Sequence, residues 1–299
     1  MSEARADEAL TMLGPVPDIS SVNPNLKGNI YAAAFDLYRD AVGMTHVAGH
    51  LYSDENPNGA LGREQAILAG LLMRIAKFMT SVMQLSDGQR DKREVVLVLN
   101  RCIVESVVNL RFLVEKADPK FFAQFVEFSL GPERELYDGI QKNIQARGST
   151  LPIEERMLKS INRICRLSGM TIDQVRLKYG DWGGGVRERL KALDLQDAYA
   201  GFQRVPSHSV HGSWVDLLFH YLDESGDGFT PRSDPSEVDP RMWLPTALLV
   251  IDAVETYLSS CFPDFPELSG FLDRLSILRE RIMAIDGLHE QWMSKKGAE

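Results

Sequence analysis

From Gly28 almost to the C-terminus, apolar residues recur at the three- and four-residue spacing of amphipathic helices. The prolines and glycines that end helices cluster in a few short segments, which leaves long stretches free for helix. No repeat of fixed period organises this pattern, so a solenoid is not expected. The sequence therefore predicts an all-α fold, an irregular multi-helix bundle joined mostly by short loops.

Turn signals divide the pattern into separate helices. These are predicted at residues 29–52, 60–85, 92–116, 119–147, 152–168, 186–193, 195–203, 207–222, 241–261 and 266–285, with a short helix after residue 171 and a short helical tail after residue 287. The helix at 92–116 is apolar nearly all round, which is typical of the centre of a bundle. Residues 223–240 are predicted to form an acidic loop rich in glycine and proline.

The chain is long enough to form one large domain or two closely packed halves. Residues 1–27, which include Pro15, Pro17 and Pro24, are expected to form an N-terminal arm or tail lying on the surface. Residues 28–299 are expected to form a single helical domain, or two packed halves at 28–180 and 186–299 divided by a glycine run.

The N-terminus does not resemble a signal peptide, because it carries Glu3, Asp7 and Glu8 and no apolar segment of the required length. The most apolar stretches, 242–262 and 66–83, contain charged residues that would not sit comfortably in lipid. The three cysteines are widely spaced and match no zinc spacing. We therefore expect a cytoplasmic protein with reduced thiols and no membrane partner.

The formal net charge of −9 argues against a protein that coats nucleic acid with its whole surface, because phosphate contacts need concentrated Lys and Arg. A local basic site is compatible with that charge. Arg156, Lys159, Arg163 and Arg166 follow a 3-4-3 spacing and would line one helix face. Two interpretations of this stripe stay open, a face that contacts RNA and a solvated face that balances the acidic remainder.

His46 and His50 lie one helical turn apart and would share one face. That spacing suits a metal site, which would need a third ligand such as His208, His211 or Glu105. The alternative interpretation is that these histidines are hydrogen-bonded within the core. We expect no cofactor, and no metal outside the His46/His50 alternative.

The segment 204–211 combines an arginine with histidines at the predicted start of a helix. Arg204, always charged, can bind a phosphate through two hydrogen bonds and stabilise the charge that develops on it. His211 can take the proton from an RNA 2′-hydroxyl or return one to the leaving oxygen. His208 would assist, and Ser207 would cap the helix and offer a hydroxyl to the substrate. Together these groups would suffice for RNA cleavage without a metal.

The spacing Arg204-x6-His211 near the start of a late helix resembles the HEPN superfamily, helical bundles that include many bacterial ribonuclease toxins and defence proteins. The resemblance implies a metal-independent endoribonuclease, or a protein that binds RNA or nucleotides, in toxin–antitoxin or antiphage defence. It also implies a homodimer that joins two motifs, with an antitoxin as a further protein partner. Val205 departs from the pattern, because the family usually has a polar residue after the arginine.

A longer pattern resembles a group of bacterial all-α proteins with no assigned activity. The matching residues are Arg101, Glu105, Asn109-Leu110, Phe112-Leu113, Asp181-Trp182, Tyr199, Ser207 and Val210-His211. Arg101, Glu105 and Asn109 would form one polar stripe on an otherwise apolar helix. One interpretation is a structural Arg–Glu network that fixes the helix register. The other is that Glu105 orients the catalytic Arg or His, while its two neighbours on the stripe contact the substrate.

Two further features bear on function. Trp182, beside the glycine run 183–185, would either stack on an RNA base or anchor its loop. The predicted loop 223–240 holds six acidic residues against one arginine, and such a loop would repel a phosphate substrate. The sequence therefore keeps open a second class of function, a non-enzymatic helical interaction protein whose Arg, Glu and His residues form a structural network in the core.

Overall fold

The computed structural model describes residues 10–51, 60–87, 92–176, 182–197, 201–202, 205–232, 238–263 and 268–296. Within these ranges the chain forms eleven α-helices, two short 3-10 helices and one two-stranded antiparallel hairpin. The predicted all-α, multi-helix fold is therefore confirmed.

Local sequence explains where several helices begin and end. Their bounds are α1 Lys27–Gly49, α2 Arg63–Ser86, α3 Arg93–Lys116, α4 Pro119–Ser129, α5 Gly131–Arg147, α6 Pro152–Leu167, α7 Gly185–Ala192, α8 Val205–His211, α9 Trp214–His220, α10 Pro240–Cys261 and α11 Leu268–Lys296. The Asp118 side chain accepts a backbone hydrogen bond in the first turn of α4, and Pro119 fits its first position. Asp239 and Pro240 repeat this arrangement at the start of α10.

Five predicted segments differ from the observed ones. The predicted helix 195–203 is not helical at residues 195–197, and residues 198–200 and 203 lie outside the described ranges. The predicted helix 119–147 is two helices, because the chain turns at Leu130 and Pro132 then stands in the first turn of α5. The predicted helix 207–222 is likewise two, α8 and α9, divided at Gly212. Part of the predicted acidic loop forms a hairpin of β1 (Leu222–Ser225) and β2 (Gly228–Pro231). α11 runs through Gly287 as one helix, where the sequence predicts a helix and a separate tail.

The chain forms two compact units, Met1–Glu115 with Ala192–Glu299 and Lys116–Lys191. In the first unit α1 packs against α2, α10 and α11, and α10 packs against α11. Two hydrogen bonds tie α3 to this group. Asn100 Nδ2 donates to the Met242 carbonyl (2.6 Å), and Arg74 Nε donates to Ser106 Oγ (3.2 Å).

By length and composition, α2 is the one described helix that could cross a membrane. Its buried side chains include Leu72, Ile75 and Met79, which belong to the core of the first unit. A core helix passes the same test of length and apolar content. Its length and composition alone therefore do not place α2 in a membrane.

Residues 10–26, part of the predicted arm, lie against α1 and α11. Leu13 sits so close to Gly43 that a β-carbon on this glycine would come within 2.5 Å of the leucine Cδ2 atom. The guanidinium of Arg274 donates to the Gly14 carbonyl, and that of Arg281 donates to two further carbonyls of the arm. The arm is thus fixed by one close apolar contact and by two arginines of the last helix.

The second unit contains α4, α5, α6 and α7 with the 3-10 turns Ile172–Gln174 and Trp182–Gly184. Trp182 is buried there, edge-on to the Phe125 ring at 5.1 Å and 4.2 Å from the Arg189 guanidinium. Arg189 Nη1 also donates to the Trp182 carbonyl (2.6 Å). Trp182 therefore anchors its loop. The predicted halves 28–180 and 186–299 place their boundary inside this unit.

Candidate functional site

The helical segment that carries the candidate histidines is broken at Gly212. This residue has a φ of +56°, a left-handed conformation that glycine adopts without strain. The Ser213 amide donates back to the His208 carbonyl (3.1 Å), which is the six-residue closure of a Schellman motif. α9 then begins after Ser213, whose own carbonyl accepts from the Leu217 amide (3.0 Å).

His208 is held at the end of α8 by the side chain of Ser213. Its Nδ1 atom lies 2.8 Å from Ser213 Oγ, in addition to the backbone bond between the two residues. The Ser213 side chain bonds to His208 and does not cap α9. His211 lies about 60° round the helix from His208 and is exposed. The protein thus orients His208, while His211 faces solvent.

α9 is inverted relative to an ordinary surface helix, which buries its apolar face. Its polar residues are inside, since Asp216 is 5% exposed and the His220 side chain 9%. Four of its five apolar residues are exposed, Phe219 to 67%, and only Leu218 is half-buried. We call the exposed apolar side chains of this segment the aromatic surface: Val210, Trp214, Val215, Leu217, Phe219, Tyr221 and Phe229.

Asp216 and His220 form the inner face of α9. Asp216 Oδ1 lies 3.8 Å from His220 Nε2. Burial lowers the pKa of His220, and the negative charges of Asp216 and Glu94 oppose this only in part. The imidazole is therefore mostly neutral near pH 7, so the contact is polar rather than a full ion pair. The Tyr221 hydroxyl donates to Glu94 Oε1 (3.4 Å), which joins the end of α9 to the start of α3.

Arg232 ties the hairpin to α9. Its guanidinium donates to the Phe219 carbonyl (2.6 Å) and to the Asp223 carboxylate (2.9 Å). The first of these bonds satisfies a carbonyl that the helix end leaves without a partner. The Trp214 and Phe229 rings meet edge to face with their centroids 5.3 Å apart, which links the start of α9 to β2. These contacts hold the aromatic surface in one arrangement.

The hairpin gives the aromatic surface an acidic rim. Asp223, Glu224 and Asp227 are exposed beside it. Asp223 is paired with an arginine, whereas Glu224 and Asp227 form no ion pair within the described ranges. Asp234 and Glu237 of the predicted loop lie outside those ranges. A negative rim repels phosphate and favours a partner that carries Lys or Arg around an apolar contact.

The structure brings some of the sequence-predicted site residues together on α8 and leaves others apart. Ser207, His208 and His211 all lie on α8, with Ser207 half-buried. Arg204 lies outside the described residues, as do Asp181 and Tyr199 of the longer pattern. In the part of the chain that the structure describes, no hydrogen bond or ion pair joins Glu105 to either histidine of α8.

Arg101, Glu105 and Asn109 line one face of α3 at the expected spacing, and all three are half-buried. No ion pair joins Arg101 to Glu105 in the described structure, so the predicted network of these two residues is not formed there. Arg101 Nη1 and Asn109 Oδ1 are buried without a hydrogen-bond partner among the residues described. Such atoms are uncommon in folded proteins and include groups that bind ligands or act in catalysis.

His46 and His50 lie at the exposed end of α1, with their ring centroids 4.5 Å apart. His50 Nδ1 donates to the His46 carbonyl (2.8 Å). Burial, followed by the neighbouring His50, lowers the pKa of His46. Nowhere in the described ranges do three His, Cys, Asp or Glu side chains converge to hold a metal ion. The pair therefore has no third ligand in that part of the chain.

None of the rings that dominate the aromatic surface belongs to a motif that is recognisable in the sequence. Trp214 and Phe219 fit the apolar periodicity of a core helix, and periodicity alone does not tell which face is buried. The available signal is the pair Asp216 and His220, one helical turn apart. This pair defines a polar face that could equally be the outer or the inner one, and only the tertiary structure decides between them.

Comparison with known protein families gives a match over the middle of the chain. The model of a family of unknown function (DUF5677) matches residues 65–229, more than half of the chain. The matched range begins in α2 and ends in β2, so it includes the polar stripe of α3 and the aromatic surface. No curated protein and no solved structure matches the chain. No function is assigned to the family, and its description does not link it to the HEPN superfamily, so that resemblance stays a hypothesis.

Proposed function

The chain belongs to the DUF5677 family of unknown function, and we propose that it binds a protein partner through the aromatic surface. One observation carries this proposal: α9 buries Asp216 and His220 and exposes Trp214 and Phe219. A chain without a partner would gain from the opposite arrangement, because exposing apolar side chains and burying polar ones both cost free energy. The observed arrangement becomes favourable when a partner covers the exposed rings.

The residue types of the aromatic surface are those that dominate protein interfaces. Trp and Tyr are enriched at interaction hot spots, and Phe is enriched in interfaces as well. Single apolar side chains are common on protein surfaces, but residues 210–229 expose seven of them, and two of these, Trp214 and Phe229, are in contact. This contact and the bonds of Arg232 fix α9 against the hairpin, which lowers the entropy cost of binding.

The acidic rim defines the chemistry of the partner. Glu224 and Asp227 stand beside the apolar side chains without an ion pair in the described structure. Charged rims steer association and exclude partners of like charge. We therefore expect an apolar contact surface bordered by Lys or Arg on the partner protein.

A photo-crosslinking residue at position 219 tests this proposal in cells that express the chain. Met283 on α11 is the matched control, because its side chain is 59% exposed and lies outside the aromatic surface. Position 219 should give a protein adduct that position 283 does not give. The purified partner should then bind Trp214→Ala at least about tenfold more weakly than wild type, and Met283→Ala with unchanged affinity. Identical adducts at both positions, or full affinity for Trp214→Ala, would contradict the proposal.

A second candidate function is metal-independent RNA cleavage. It is supported by the exposed His211 beside the oriented His208, and by the unpartnered atoms of Arg101 and Asn109 on α3. In this proposal Arg204 binds the phosphate and His211 acts as acid or base. The homodimer and a role in bacterial toxin–antitoxin or antiphage defence belong to this proposal. It ranks second because the acidic rim lies on the hairpin that contacts α9, the helix directly after α8, and its charge repels phosphate.

The two functions are separated by incubating purified protein with mixed cellular RNA in EDTA, beside His211→Ala. Cleavage by wild type alone would support the second function, since His211 is exposed and its substitution should leave the fold intact. Equal cleavage by both proteins would exclude His211 as the acid or base. No cleavage by either, together with binding that depends on Trp214, would leave partner binding as the function.

A further inference from the structure

In the second unit, α6 presents an exposed face with two chemically different edges. A helix turns by about 100° per residue, so side chains can be assigned to sectors of its circumference. The basic edge spans about 80° and consists of Arg156, Lys159, Arg163 and Arg166, all exposed. The aliphatic edge fills about 60° beside it and consists of Ile153, Ile164 and Leu167, also exposed.

This face is not the side by which α6 packs. Ile161 and Cys165 are buried and lie on the opposite side of the helix. Glu154 is buried as well, and its carboxylate accepts from the Leu151 amide (2.8 Å) and from Arg147. The basic and aliphatic edges are therefore exposed and do not belong to the side by which α6 packs within the unit. Leu167, 69% exposed, is the most exposed of the aliphatic side chains.

The charge of the second unit differs in sign from that of the rest of the chain. Residues 116–191 contain fourteen Lys and Arg against ten Asp and Glu, a formal charge of +4. The remaining residues carry a formal charge of −13, and the two parts together give the net charge of −9. On α6 itself, Lys159 pairs with Glu155 (2.8 Å), while the described ion pairs include none for the three arginines of the basic edge.

We propose that this face of α6 docks on the surface of an anionic lipid bilayer. Basic side chains are attracted to anionic headgroups, and aliphatic side chains beside them enter the boundary between headgroups and acyl chains. An RNA partner would account for the basic edge only, because single-stranded RNA is held by stacking on aromatic rings rather than by isoleucine and leucine. A solvated face would likewise leave the aliphatic edge unexplained.

The expectation of no membrane partner rests on the charges within the two most apolar stretches, and those charges bear only on segments that would cross a bilayer. The present proposal departs from that expectation. Docking on a bilayer surface needs no such segment. It needs a helix that lies parallel to the membrane and exposes both edges to the bilayer surface. That both edges of α6 are exposed follows from the burial of Ile161 and Cys165 on its other side, and hydropathy does not show it.

Flotation of the full chain with lipid vesicles tests the proposal. Vesicles of phosphatidylcholine with one quarter phosphatidylglycerol should carry the protein upward at low salt, and vesicles of phosphatidylcholine alone should not. Each basic side chain near an anionic surface changes the partition coefficient on the order of fivefold. Arg163→Glu/Arg166→Glu should therefore lower partitioning by about a hundredfold or more. Lys120→Glu/Lys191→Glu, the same charge change at exposed lysines outside α6, should have a much smaller effect.

Substitutions in the aliphatic edge distinguish binding to anionic lipid from binding to other polyanions. Ile164→Ser/Leu167→Ser keeps every charge, so it should weaken binding to the anionic vesicles and leave any binding to RNA unchanged. Circular dichroism should show unchanged helicity, because all four substituted side chains of α6 are exposed. Absence of flotation with anionic vesicles would overturn the proposal. So would flotation that the serine variant retains in full, which would assign the basic edge to a polyanion such as RNA.

Discussion

His289 is fully buried in α11 between the rings of Tyr31 and Trp292, whose centroids lie 5.8 and 6.2 Å from its own. Neither of its ring nitrogens has a hydrogen-bond partner among the described residues. Burial lowers the pKa of His289, as it lowers that of His220 on α9, and nearby carboxylates oppose this only in part. Both imidazoles are therefore neutral in the folded chain at neutral pH.

These two histidines make stability depend on pH. In the unfolded chain an imidazole takes up a proton as the pH falls through about 6.5, whereas the buried rings resist protonation down to their lower pKa. The unfolded state then binds more protons, so the free energy of unfolding falls below about pH 6.5, by up to about 1.4 kcal/mol per pH unit for each such histidine. His289→Phe keeps the ring packing and removes one of these groups.

Urea denaturation at pH 7.5 and pH 5.5 checks this expectation. The loss of unfolding free energy between the two pH values should be smaller in His289→Phe than in wild type. His50→Phe, at an exposed position, controls for the removal of a histidine as such. The same pH dependence in wild type and His289→Phe would show that the buried ring does not resist protonation.

At the scale of the elements, sequence patterns predict where most helices lie because period and caps are local properties. The predicted helix start at Pro119, after Asp118, is confirmed, and α10 begins at Pro240, one residue before its predicted start. The division of 207–222 into α8 and α9 is not predicted, because the apolar spacing continues across Gly212 and one glycine is compatible with a helix. The inversion of α9 is not predicted either, since it depends on which distant parts of the chain cover Asp216 and His220.

Gly212 closes α8 only because its φ is positive. A β-carbon there would meet no atom within 4 Å, so the cost of Gly212→Ala is conformational, about 1 kcal/mol. Hydrogen exchange should therefore become several-fold faster at the Ser213 amide, which donates to the His208 carbonyl. Gly212→Asn should exchange more slowly than Gly212→Ala, because Asn adopts this conformation more readily. Gly70→Ala, within α2, should leave exchange at Ser213 unchanged. Equal exchange rates at the Ser213 amide in wild type and all variants would exclude the Schellman motif at the end of α8.

At the scale of the whole molecule, the contacts that close the first unit join residues far apart in sequence. Arg274 on α11 pairs with Asp40 on α1 and also donates to the Gly14 carbonyl of the arm. Neither the pairing nor the compact unit of residues 116–191 can be predicted from periodicity, because both depend on how distant helices meet. The candidate site has the same property: its histidines are predictable as a motif, whereas the burial around them is not.

The pair of Asp40 and Arg274 is almost fully buried, and breaking it should destabilise the first unit strongly. Arg274→Met leaves a buried carboxylate without its partner, which costs roughly 3–5 kcal/mol. Burial already raises the pKa of Asp40, with the Arg274 hydrogen bond opposing the rise. Without Arg274 the carboxyl of Asp40 would protonate more readily, so the loss of unfolding free energy, measured by urea denaturation, should be smaller at pH 5 than at pH 7.5.

Asp40→Asn/Arg274→Met removes both charges and should recover much of the lost stability at pH 7.5. A deficit that is independent of pH and equal in the single and double variants would attribute the loss to the arm contact with Gly14 instead.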